Sequence, residues 1–414
     1  MKTLALLASG SAGDVLPLAS LASALVRSGY RVRLAVPRRF AAALSGRDFE
    51  LAVCLNNPSD LLSQSADAPL SLANGLVRGA AASLAYLGRA RPVLRGLLDE
   101  LWRISAGADG IVVSLPSLWA AGAAIRRGLP WAAAFLQPFT PSREYPAALL
   151  PLRFPDLPPL NRLGHALVRR AIQLPWAGTV ADWAREILDC PPRLVKNWYG
   201  DLAAGRVPAV YGLSPRLFRR PSDWPDSHRL SGFWQPGLPP GWRADRALLD
   251  FLADGPPPLY AGFGSVSRGL AGQLQAQAAR MAGSLGCRII LAAPGLDRPR
   301  RASALRLEIG QVPHGWLFPR LAGVLHHGGA GTTAAALAAG IPQAMVPTST
   351  DHFFWAGLAA RHGCGCFSGR IEPSLFDRLL NDRAMREKSS SMAVELAQEA
   401  GPERAAGFLS EWFA

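Results

Sequence analysis

The stretch HHGGAGTTAAALAAGIPQAMVP, residues 326–347, joins two histidines, a group of glycines and an alanine-rich segment. The residues that lead into it, LAGVLHH (321–327), have the composition of a short buried strand. TTAAALAAG favours a helix that ends at a glycine, and IPQAMVP favours a second strand. We therefore predict a strand, a glycine turn, a helix and a further strand, the unit from which parallel α/β sheets are built.

The glycine turn is suited to an anion. Gly329 and Gly331 have no side chains, so a ligand can approach the backbone closely. Thr332 and Thr333 open a helix whose first amides lack partners and carry partial positive charge, which suits a phosphate. His327, at the end of the strand, can donate a hydrogen bond to the same anion. We expect these groups to face a diphosphate.

The residues alone leave three interpretations of this turn. The first is a tight turn beside a core histidine. The second is a dinucleotide site, because GAGTTA (329–334) fits G-x-G-x-x-A and Asp351 follows about 20 residues on, where a ribose-binding acid belongs. That interpretation makes an NAD-dependent oxidoreductase the alternative function. The third is a nucleotide-sugar site.

Two successive α/β series can be traced along the chain. Near the start, an apolar run is followed by a GSAGD turn, a helical segment and a second strand, and a second series begins near residue 258. Such series predict two doubly wound domains, whose ligands bind beyond the carboxyl ends of the strands. The predicted strands are TLALLAS (3–9), YRVRLAVP (30–37), DGIVVSL (109–115), LPWAAAFL (129–136), PLYAGFGS (258–265) and CRIILAAP (287–294).

Composition shifts suggest the domain boundaries. We predict a first domain over 1–215, a second over 216–385 and a helical tail over 386–414, with packing of that tail on the first domain as a hypothesis. The linker is placed in the Pro/Trp-rich stretch 205–240. Residues 137–175 combine prolines with large apolar residues and interrupt the α/β pattern, which is typical of a functional insertion.

Overall composition narrows the function classes. The 414 residues are 49% hydrophobic and carry a net charge of +14, almost all of it from scattered arginines. Without basic stripes or recognisable modules, nucleic-acid binding is not expected, whereas an anionic membrane surface is a possible partner. Five cysteines form no C-x-x-C pair, and the first apolar run is too short for a signal peptide, so a cytoplasmic protein is expected. The sequence has no P-loop, G-x-S-x-G or H-E-x-x-H motif.

A family resemblance covers most of the chain. VPHGWLFPRLAGVLHHGGAGTTAAALAAGIPQAMVP (312–347), followed by TSTDHFFWAGLAARHGCG (348–365), resembles the donor-binding signature of the family 1 glycosyltransferases. The similarity is to the bacterial and fungal branch with sterol glucosyltransferases, glycopeptide glycosyltransferases and rhamnosyltransferases. GSAGDVLP (10–17) and YAGFGSVS (260–267) resemble two further loops of that branch.

The resemblance implies a GT-B fold, in which two facing Rossmann-like domains bind acceptor and nucleotide sugar on the two sides of an interdomain cleft. It implies inverting transfer of a hexose from a UDP- or dTDP-sugar to the hydroxyl of an apolar small molecule or lipid. The nucleotide sugar is then a co-substrate, and neither a cofactor nor a metal is expected. The sequence has no D-x-D motif of the kind that metal-dependent transferases use.

The resemblance also assigns a catalytic base. Asp14, in the loop after the first predicted strand, matches the position of the base proposed for this family. From the residues alone, the N-cap of a helix over 16–27 is the less favoured alternative for Asp14, and both roles are compatible. A second acid that supports the base is not evident from the sequence; Asp109 is the candidate we consider.

The remaining roles concern the donor. By resemblance, His327 and the amides of the turn stabilise the leaving diphosphate, Ser265 supplies a second phosphate contact, and Asp351 with His352 contacts the sugar hydroxyls. The family commonly has Gln at the position of His352, so the sugar is not assigned. Residues 311–314 and Trp316 resemble the base-recognition segment, although core packing is an equally open explanation for that tryptophan. The turn residues are Gly329, Ala330, Gly331 and Thr332, and the base-recognition residues are Val312 and Trp316.

The insertion 137–175 is the predicted acceptor region. Its aromatic and aliphatic side chains suit an apolar acceptor, and its arginines, among them Arg169 and Arg170, suit a peripheral contact with an anionic membrane. The apolar residues considered are Phe139, Tyr145, Phe154, Leu160 and Leu167.

Overall fold

The computed structural model describes residues 1–64, 76–150, 157–264, 266–293, 295–348 and 350–414. These residues form two compact units. The first comprises Met1–Leu62, Leu76–Pro236 and Glu399–Ala414, and the second includes Gly237–Gln398.

The first unit is built on a seven-stranded sheet of order β3-β2-β1-β4-β5-β6-β7 in which the paired strands run parallel. Its strands are β1 (Thr3–Leu7), β2 (Arg31–Pro37), β3 (Glu50–Cys54), β4 (Gly110–Ser114), β5 (Trp131–Phe135), β6 (Ala209–Tyr211) and β7 (His228–Leu230). Its helices begin with α1 (Ala12–Arg27), α2 (Ala41–Leu44), α3 (Pro58–Gln64), α4 (Leu76–Ile104), α5 (Ala121–Arg127), α6 (Pro158–Gln173), α7 (Ala177–Glu186), α8 (Pro192–Lys196) and α9 (Trp198–Ala203).

The second unit contains a sheet of order β10-β11-β9-β8-β12-β13-β14, parallel except for the edge pair β10 and β11. Its strands are β8 (Leu259–Gly262), β9 (Ile289–Ala292), β10 (Arg300–Arg301), β11 (Arg306–Ile309), β12 (Gly323–His326), β13 (Gln343–Met345) and β14 (Gly365–Phe367). Its helices are α10 (Arg246–Ala253), α11 (Arg268–Ser284), α12 (His314–Leu317), α13 (Ala330–Ala339), α14 (Thr350–Arg361), α15 (Pro373–Asn381) and α16 (Arg383–Leu396). The last helix, α17 (Gly401–Phe413), belongs to the first unit.

The central strands are apolar on both sides because helices cover both faces of a doubly wound sheet. Every residue of β4 and β5 is buried, as is every residue of β8 and β12. The doubly wound α/β units predicted from the sequence are therefore confirmed. Within the described ranges, no helix combines the length and apolar character needed to cross a bilayer.

The unit boundary differs from the one placed at residue 215. β7 pairs with β6 and adds a seventh strand, so the first unit continues to Pro236, within the stretch 205–240 where the linker was placed. The C-terminal region is divided between the units: α16 belongs to the second, whereas α17 packs on α1 in the first. An ion pair between Arg27 and Glu403 (2.6 Å) and a hydrogen bond from Lys2 Nζ to the carbonyl of Phe413 (2.7 Å) fix α17 there.

Part of the insertion over 137–175 is helical. Pro158 and Pro159 occupy the first positions of α6, where the missing N–H has no helical partner to lose. The prolines that interrupt the α/β pattern therefore start a helix here. Phe154 lies outside the described residues.

Candidate active site

The glycine turn of the second unit connects β12 to α13 in three residues. Gly328 adopts a positive φ of 91°, a conformation that favours glycine. A Cβ on Gly328 would lie 2.9 Å from the carbonyl oxygen of His352, so the turn packs closely against the first turn of α14. Only a residue without a side chain fits this position.

The first turn of α13 presents backbone amides. Gly329 is the N-cap, and the first helical bond runs from Thr333 N to the Gly329 carbonyl (3.0 Å), which also accepts from Thr333 Oγ1 (3.0 Å). The amides of Ala330, Gly331 and Thr332 precede that bond, and these residues are only half-buried. A helix end of this kind attracts anions.

The two adjacent histidines have different environments. His326 is fully buried; its Nδ1 accepts from the amide of Gly328 (3.1 Å) and its Nε2 lies 3.0 Å from Oε1 of Gln343. Because Nδ1 accepts, Nε2 carries the proton and donates to Gln343. Burial, helped by the neighbouring ring of His327, lowers the pKa of His326 to about 3. His326 therefore holds the turn as a neutral core residue.

His327 lies under the start of α13. A Cβ on Gly329 would come within 2.5 Å of His327 Nε2, and the imidazole is 4.6 Å from that of His352 between ring centroids. Burial first, and then the ring of His352, hold the pKa of His327 well below its ordinary value of about 6.5. At neutral pH this ring can donate or accept a hydrogen bond but carries no charge.

Asp351 and His352 occupy the first turn of α14. Asp351 is half-buried, whereas His352 is 5% exposed. The amide and Oγ1 of Thr348 lie 3.4 and 3.2 Å from His352 Nδ1. Burial lowers the pKa of His352 to about 4, with a smaller contribution from His326. The neutral ring therefore accepts at Nδ1 and carries its proton on Nε2.

The predicted base-recognition segment packs against a hydrophobic cluster of the second unit. Trp316 is half-buried at the margin of a hydrophobic cluster with Leu317 and Phe318, and Val312 lies at the same margin. The guanidinium of Arg320 stacks over the Trp316 ring at 4.2 Å, and the ring of Trp242 meets it at 5.2 Å and 61°. Core packing is thus one role of Trp316.

Strand register explains how the second unit gathers these residues. His326 is level with Gly262 of β8 and with Met345 of β13, so three adjacent strands end at one sheet edge. The segments that follow these strands therefore start at the same edge of the sheet. They contain His327, the turn after β8 and the start of α14. Ser265, predicted in the turn after β8, lies outside the described residues.

Asp14 lies at the carboxyl end of β1 in the first unit. Its Oδ2 accepts hydrogen bonds from the amide (2.7 Å) and Oγ (2.8 Å) of Ser11. α1 begins at Ala12 rather than at residue 16, so Asp14 is the third helical residue of a capping box rather than the N-cap itself. The structure therefore shows a capping role for this half-buried carboxylate.

Three side chains missed by the sequence analysis hold the loop before Asp14; we call Arg39, Asn57 and Asp60 the Gly10 clamp. The amide of Gly10 donates to Asn57 Oδ1 (3.1 Å), and Asn57 Nδ2 donates to the Gly10 carbonyl (3.1 Å) and to Asp60 Oδ1 (2.8 Å). Arg39 donates to the same carbonyl (2.8 Å) and pairs with Asp60 (2.7 Å). Asn57 lies three residues after the end of β3, at the carboxyl edge of the sheet. That position could have identified Asn57 as a candidate site residue from the sequence.

Asp109 does not lie near Asp14, so its candidacy as the second acid is wrong. Its Oδ2 accepts from the amide of Thr3 (2.7 Å), and its own amide donates to the Thr3 carbonyl (2.8 Å). Thr3 begins β1, whereas Asp14 follows the end of that strand. The two carboxylates are therefore at opposite edges of the sheet.

Two of the predicted acceptor residues pack among other aromatic rings, and their role in acceptor binding stays a prediction. Phe139 is 4% exposed and packs against the rings of Phe135 (5.5 Å) and Tyr199 (5.8 Å). Tyr145 meets Phe218 edge-on at 5.0 Å. Large aromatic side chains gain most from such burial, and the sequence pattern could not separate this from ligand contact. Leu160 is half-buried, and Leu167 is exposed on α6.

Among the described residues, no group of three or more His, Cys, Asp or Glu side chains is arranged to hold a metal ion.

Comparison with known proteins gives a consistent result. A family model for the C-terminal domain of erythromycin biosynthesis protein CIII-like proteins matches residues 282–411. The chain is 30% identical over 423 residues to the O-mycaminosyltylonolide 6-deoxyallosyltransferase of Streptomyces fradiae, covering 99% of this chain and 97% of that protein. It is 29% identical to the sterol 3-beta-glucosyltransferase of Debaryomyces hansenii over 96% of this chain, but spans only 26% of that longer relative.

Solved structures support the same fold. The glycosyltransferase of kitacinnamycin superposes with a TM-score of 0.68 at 16% identity, covering 99% of this chain and 98% of that one. The Streptomyces sp. SF2575 glycosyltransferase SsfS6, complexed with thymidine diphosphate, superposes with a TM-score of 0.59 at 18% identity, covering 99% and 100% of the two chains.

Proposed function

Because the chain belongs to the family 1 glycosyltransferases and has the GT-B fold, we propose that it transfers a hexose from a UDP- or dTDP-sugar to a hydroxyl of an apolar small-molecule or lipid acceptor. The transfer proceeds with inversion and without a metal ion. The observation that carries the proposal is the half-buried amino end of α13, with the neutral ring of His327 beneath it. The S. fradiae relative is by name a 6-deoxyallosyltransferase, and SsfS6 was solved with thymidine diphosphate, which supports a nucleoside-diphosphate-linked hexose as donor.

The NAD-dependent alternative is not supported. In a dinucleotide fold, the ribose-binding acid follows the second strand of the motif directly. Here that strand, β13, ends at Met345, and Asp351 lies beyond it within the first turn of α14. The relatives with which the chain aligns along nearly its whole length are glycosyltransferases.

The leaving group is stabilised by dipoles in this proposal. As the bond from the sugar to the diphosphate breaks, negative charge grows on the phosphate oxygens. The amides of Gly331 and Thr332 and the N–H of the His327 ring donate hydrogen bonds to those oxygens. Each such preorganised donor contributes roughly 10²–10³-fold to the rate. Because His327 is neutral, its contribution is a hydrogen bond and not an ion pair.

Asp14 serves as the base. The acceptor oxygen attacks the anomeric carbon from the face opposite the diphosphate, its proton passes to the Asp14 carboxylate, and the nucleoside diphosphate leaves. The two hydrogen bonds from Ser11 fix the carboxylate through Oδ2, and Oδ1 takes the proton. A positioned base contributes roughly 10²–10⁴-fold.

The donor's other parts have proposed contacts as well. Asp351 accepts hydrogen bonds from sugar hydroxyls, and the Nε2–H of His352 donates one. Trp316 and Val312 face the pyrimidine, and Ser265 contacts a phosphate. An imidazole offers one donor and one acceptor in a geometry different from that of the family's usual amide, so the preferred sugar is not assigned from this position.

A donor panel tests the proposal. The protein is incubated with UDP- and dTDP-hexoses, with and without a lipid extract, and products are followed by mass spectrometry. We expect one nucleoside diphosphate sugar to be consumed with release of its nucleoside diphosphate, and one extract component to gain the mass of a hexosyl residue, which is a hexose less one water. NAD with hydroxy compounds is the control and should give no turnover. Reduction of NAD without sugar transfer would contradict the proposal.

We further propose that the enzyme is cytoplasmic and contacts an anionic membrane through α6. The inner face of this helix is buried through Asn161, His165 and Val168. Its outer face carries Leu163 and Leu167, which are 50% and 44% exposed, and Leu174 (69%) continues the stripe after the helix.

The charge around this stripe fits an anionic surface. Residues 157–181 contain three arginines and no Asp or Glu. Arg162 and Arg170 are exposed, while the guanidinium of Arg169 packs over the ring of Tyr199 at 5.3 Å. Leucines flanked by arginines are typical of helices that lie in a membrane interface.

Vesicle sedimentation tests the membrane contact. At low salt, the protein should bind phosphatidylglycerol vesicles and bind phosphatidylcholine vesicles much less, because each basic residue adds about 1 kcal/mol near an anionic surface. Leu163→Asp should abolish sedimentation, whereas Leu249→Asp, at a similarly exposed leucine of α10 (45%), should not. Equal loss in both variants, or binding that ignores lipid charge, would contradict the contact.

A further inference from the structure

One side chain holds both backbone polar groups of Gly10, its N–H and its C=O. Asn57, only 3% exposed, pairs its amide with both groups, and Arg39 and Asp60 complete the arrangement. We propose that the Gly10 clamp positions Asp14 for proton transfer and that Asn57 is its principal member. The inference rests on the proposed role of Asp14 as base.

The route from Asn57 to the carboxylate is short. Asn57 fixes both polar groups of Gly10, whose φ of 107° only glycine adopts readily. The next amide, that of Ser11, donates to Asp14 Oδ2 at 2.7 Å. A Cβ on Gly10 would lie 2.6 Å from the same oxygen, so the loop and the carboxylate are in close contact. A rotation of the peptide between Gly10 and Ser11 therefore moves the Ser11 amide, which orients the Asp14 carboxylate.

Arg39 and Asp60 have a geometric role. Their side chains are about one-third exposed, and ion pairs of that kind contribute little to stability. Arg39 instead supplies a further donor to the Gly10 carbonyl, and Asp60 accepts from Asn57 Nδ2, which fixes the orientation of the amide plane. With these contacts, the side chain of Asn57 presents its oxygen to Gly10 N and its nitrogen to Gly10 O.

Asn56 provides a matched control. It is the adjacent residue on the same loop, and its Nδ2 donates to Glu100 (2.8 Å) without contacting Gly10. We expect Asn57→Ala to lower kcat for hexose transfer by about 10–100-fold, since misplacement of a reacting group by about 1 Å costs up to 10²-fold. The donor KM and dTDP affinity should stay within about twofold. Asn56→Ala should leave kcat within about threefold.

A double variant separates positioning from general weakening of the fold. If Asn57 acts through Asp14, then adding Asn57→Ala to Asp14→Asn should not lower the residual transfer rate further. A rate that falls by the full single-variant factor in the Asp14→Asn background would overturn the proposal, as would equal kcat in the Asn57→Ala and Asn56→Ala enzymes.

Two further measurements keep the outcomes distinct. If Asn57→Ala does not fold, Asn57→Asp replaces it, because it keeps the acceptor for Gly10 N and removes the donor to Gly10 O; wild-type kcat in that variant would overturn the proposal. If Asp14→Asn alone retains wild-type kcat, the base assignment in the proposed function fails. If only the Asn57 variants behave like the control, the positioning role alone fails.

Discussion

Buried neutral histidines make the second unit sensitive to acid. The pKa of His352 is about 4 in the folded protein, against about 6.5 when the chain is unfolded. As pH falls below 6.5, the unfolded chain takes up a proton that the folded protein does not accept until pH approaches 4. Stability is therefore lost as the pH falls through this window. For His352 alone, the loss between pH 7.5 and 5.5 is about 1.4 kcal/mol.

His352→Gln removes this titration while keeping a hydrogen-bond acceptor for Thr348 N. At pH 7.5 the variant should unfold within about 2 °C of the wild type. At pH 5.5 the wild type loses about 1.4 kcal/mol that the variant does not lose, which corresponds to roughly 3–5 °C in Tm for a unit of this size. The gap between variant and wild type should therefore widen in favour of the variant on acidification.

Thermal unfolding of both proteins at pH 7.5 and 5.5, followed by circular dichroism, measures this difference directly. Carboxylates and the other histidines titrate in both proteins, so their contributions cancel when the two shifts are compared. Equal Tm losses in the two proteins would refute the reasoning, because they would show that His352 takes up its proton as readily in the folded protein as in the unfolded chain.

Other changes test the site itself. Gly329→Ala places a Cβ within 2.5 Å of His327 Nε2 without backbone strain, since the φ of Gly329 is −69°. Calorimetry should show that the variant binds dTDP about tenfold more weakly, a cost of about 1.4 kcal/mol. An unchanged dTDP affinity would contradict the contact. Asp14→Asn keeps an acceptor for Ser11, so kcat should fall roughly 10²–10⁴-fold while Tm and dTDP affinity change little; an equal loss of affinity would argue against a base. Because the pKa of His327 is well below 6.5, the affinity for dTDP should be constant between pH 7 and 8.5. A steep fall in affinity as the pH rises over that range would indicate that His327 binds the diphosphate in its protonated form.

Much of the second unit could be predicted from the sequence because its signals are local. A strand, a glycine turn and a helix follow one another within 321–339, and backbone amides at a helix end need no partner from elsewhere. The strand and helix of this unit were confirmed in β12, α13 and β13. Local sequence could not distinguish the environments of the two histidines. Only the strand register shows that His326 faces Gln343, whereas His327 lies against α14.

Contacts between distant segments of the chain could not be predicted from the sequence. The Gly10 clamp joins three separate segments of the chain, and Asn57 is 47 residues from Gly10. Asp109 precedes a strand whose start lies beside Thr3, and only the parallel order of β1 and β4 places it at the edge away from Asp14. Phe139 lies in a segment whose composition suggested ligand contact, and its ring packs among other aromatic rings.

A crystal structure of the protein soaked with dTDP tests the central claim most directly. We expect the terminal phosphate to lie within hydrogen-bonding distance of the amides of Gly331 and Thr332 and of the His327 ring. A nucleotide bound at any other place, or a diphosphate that contacts neither α13 nor His327, would contradict it.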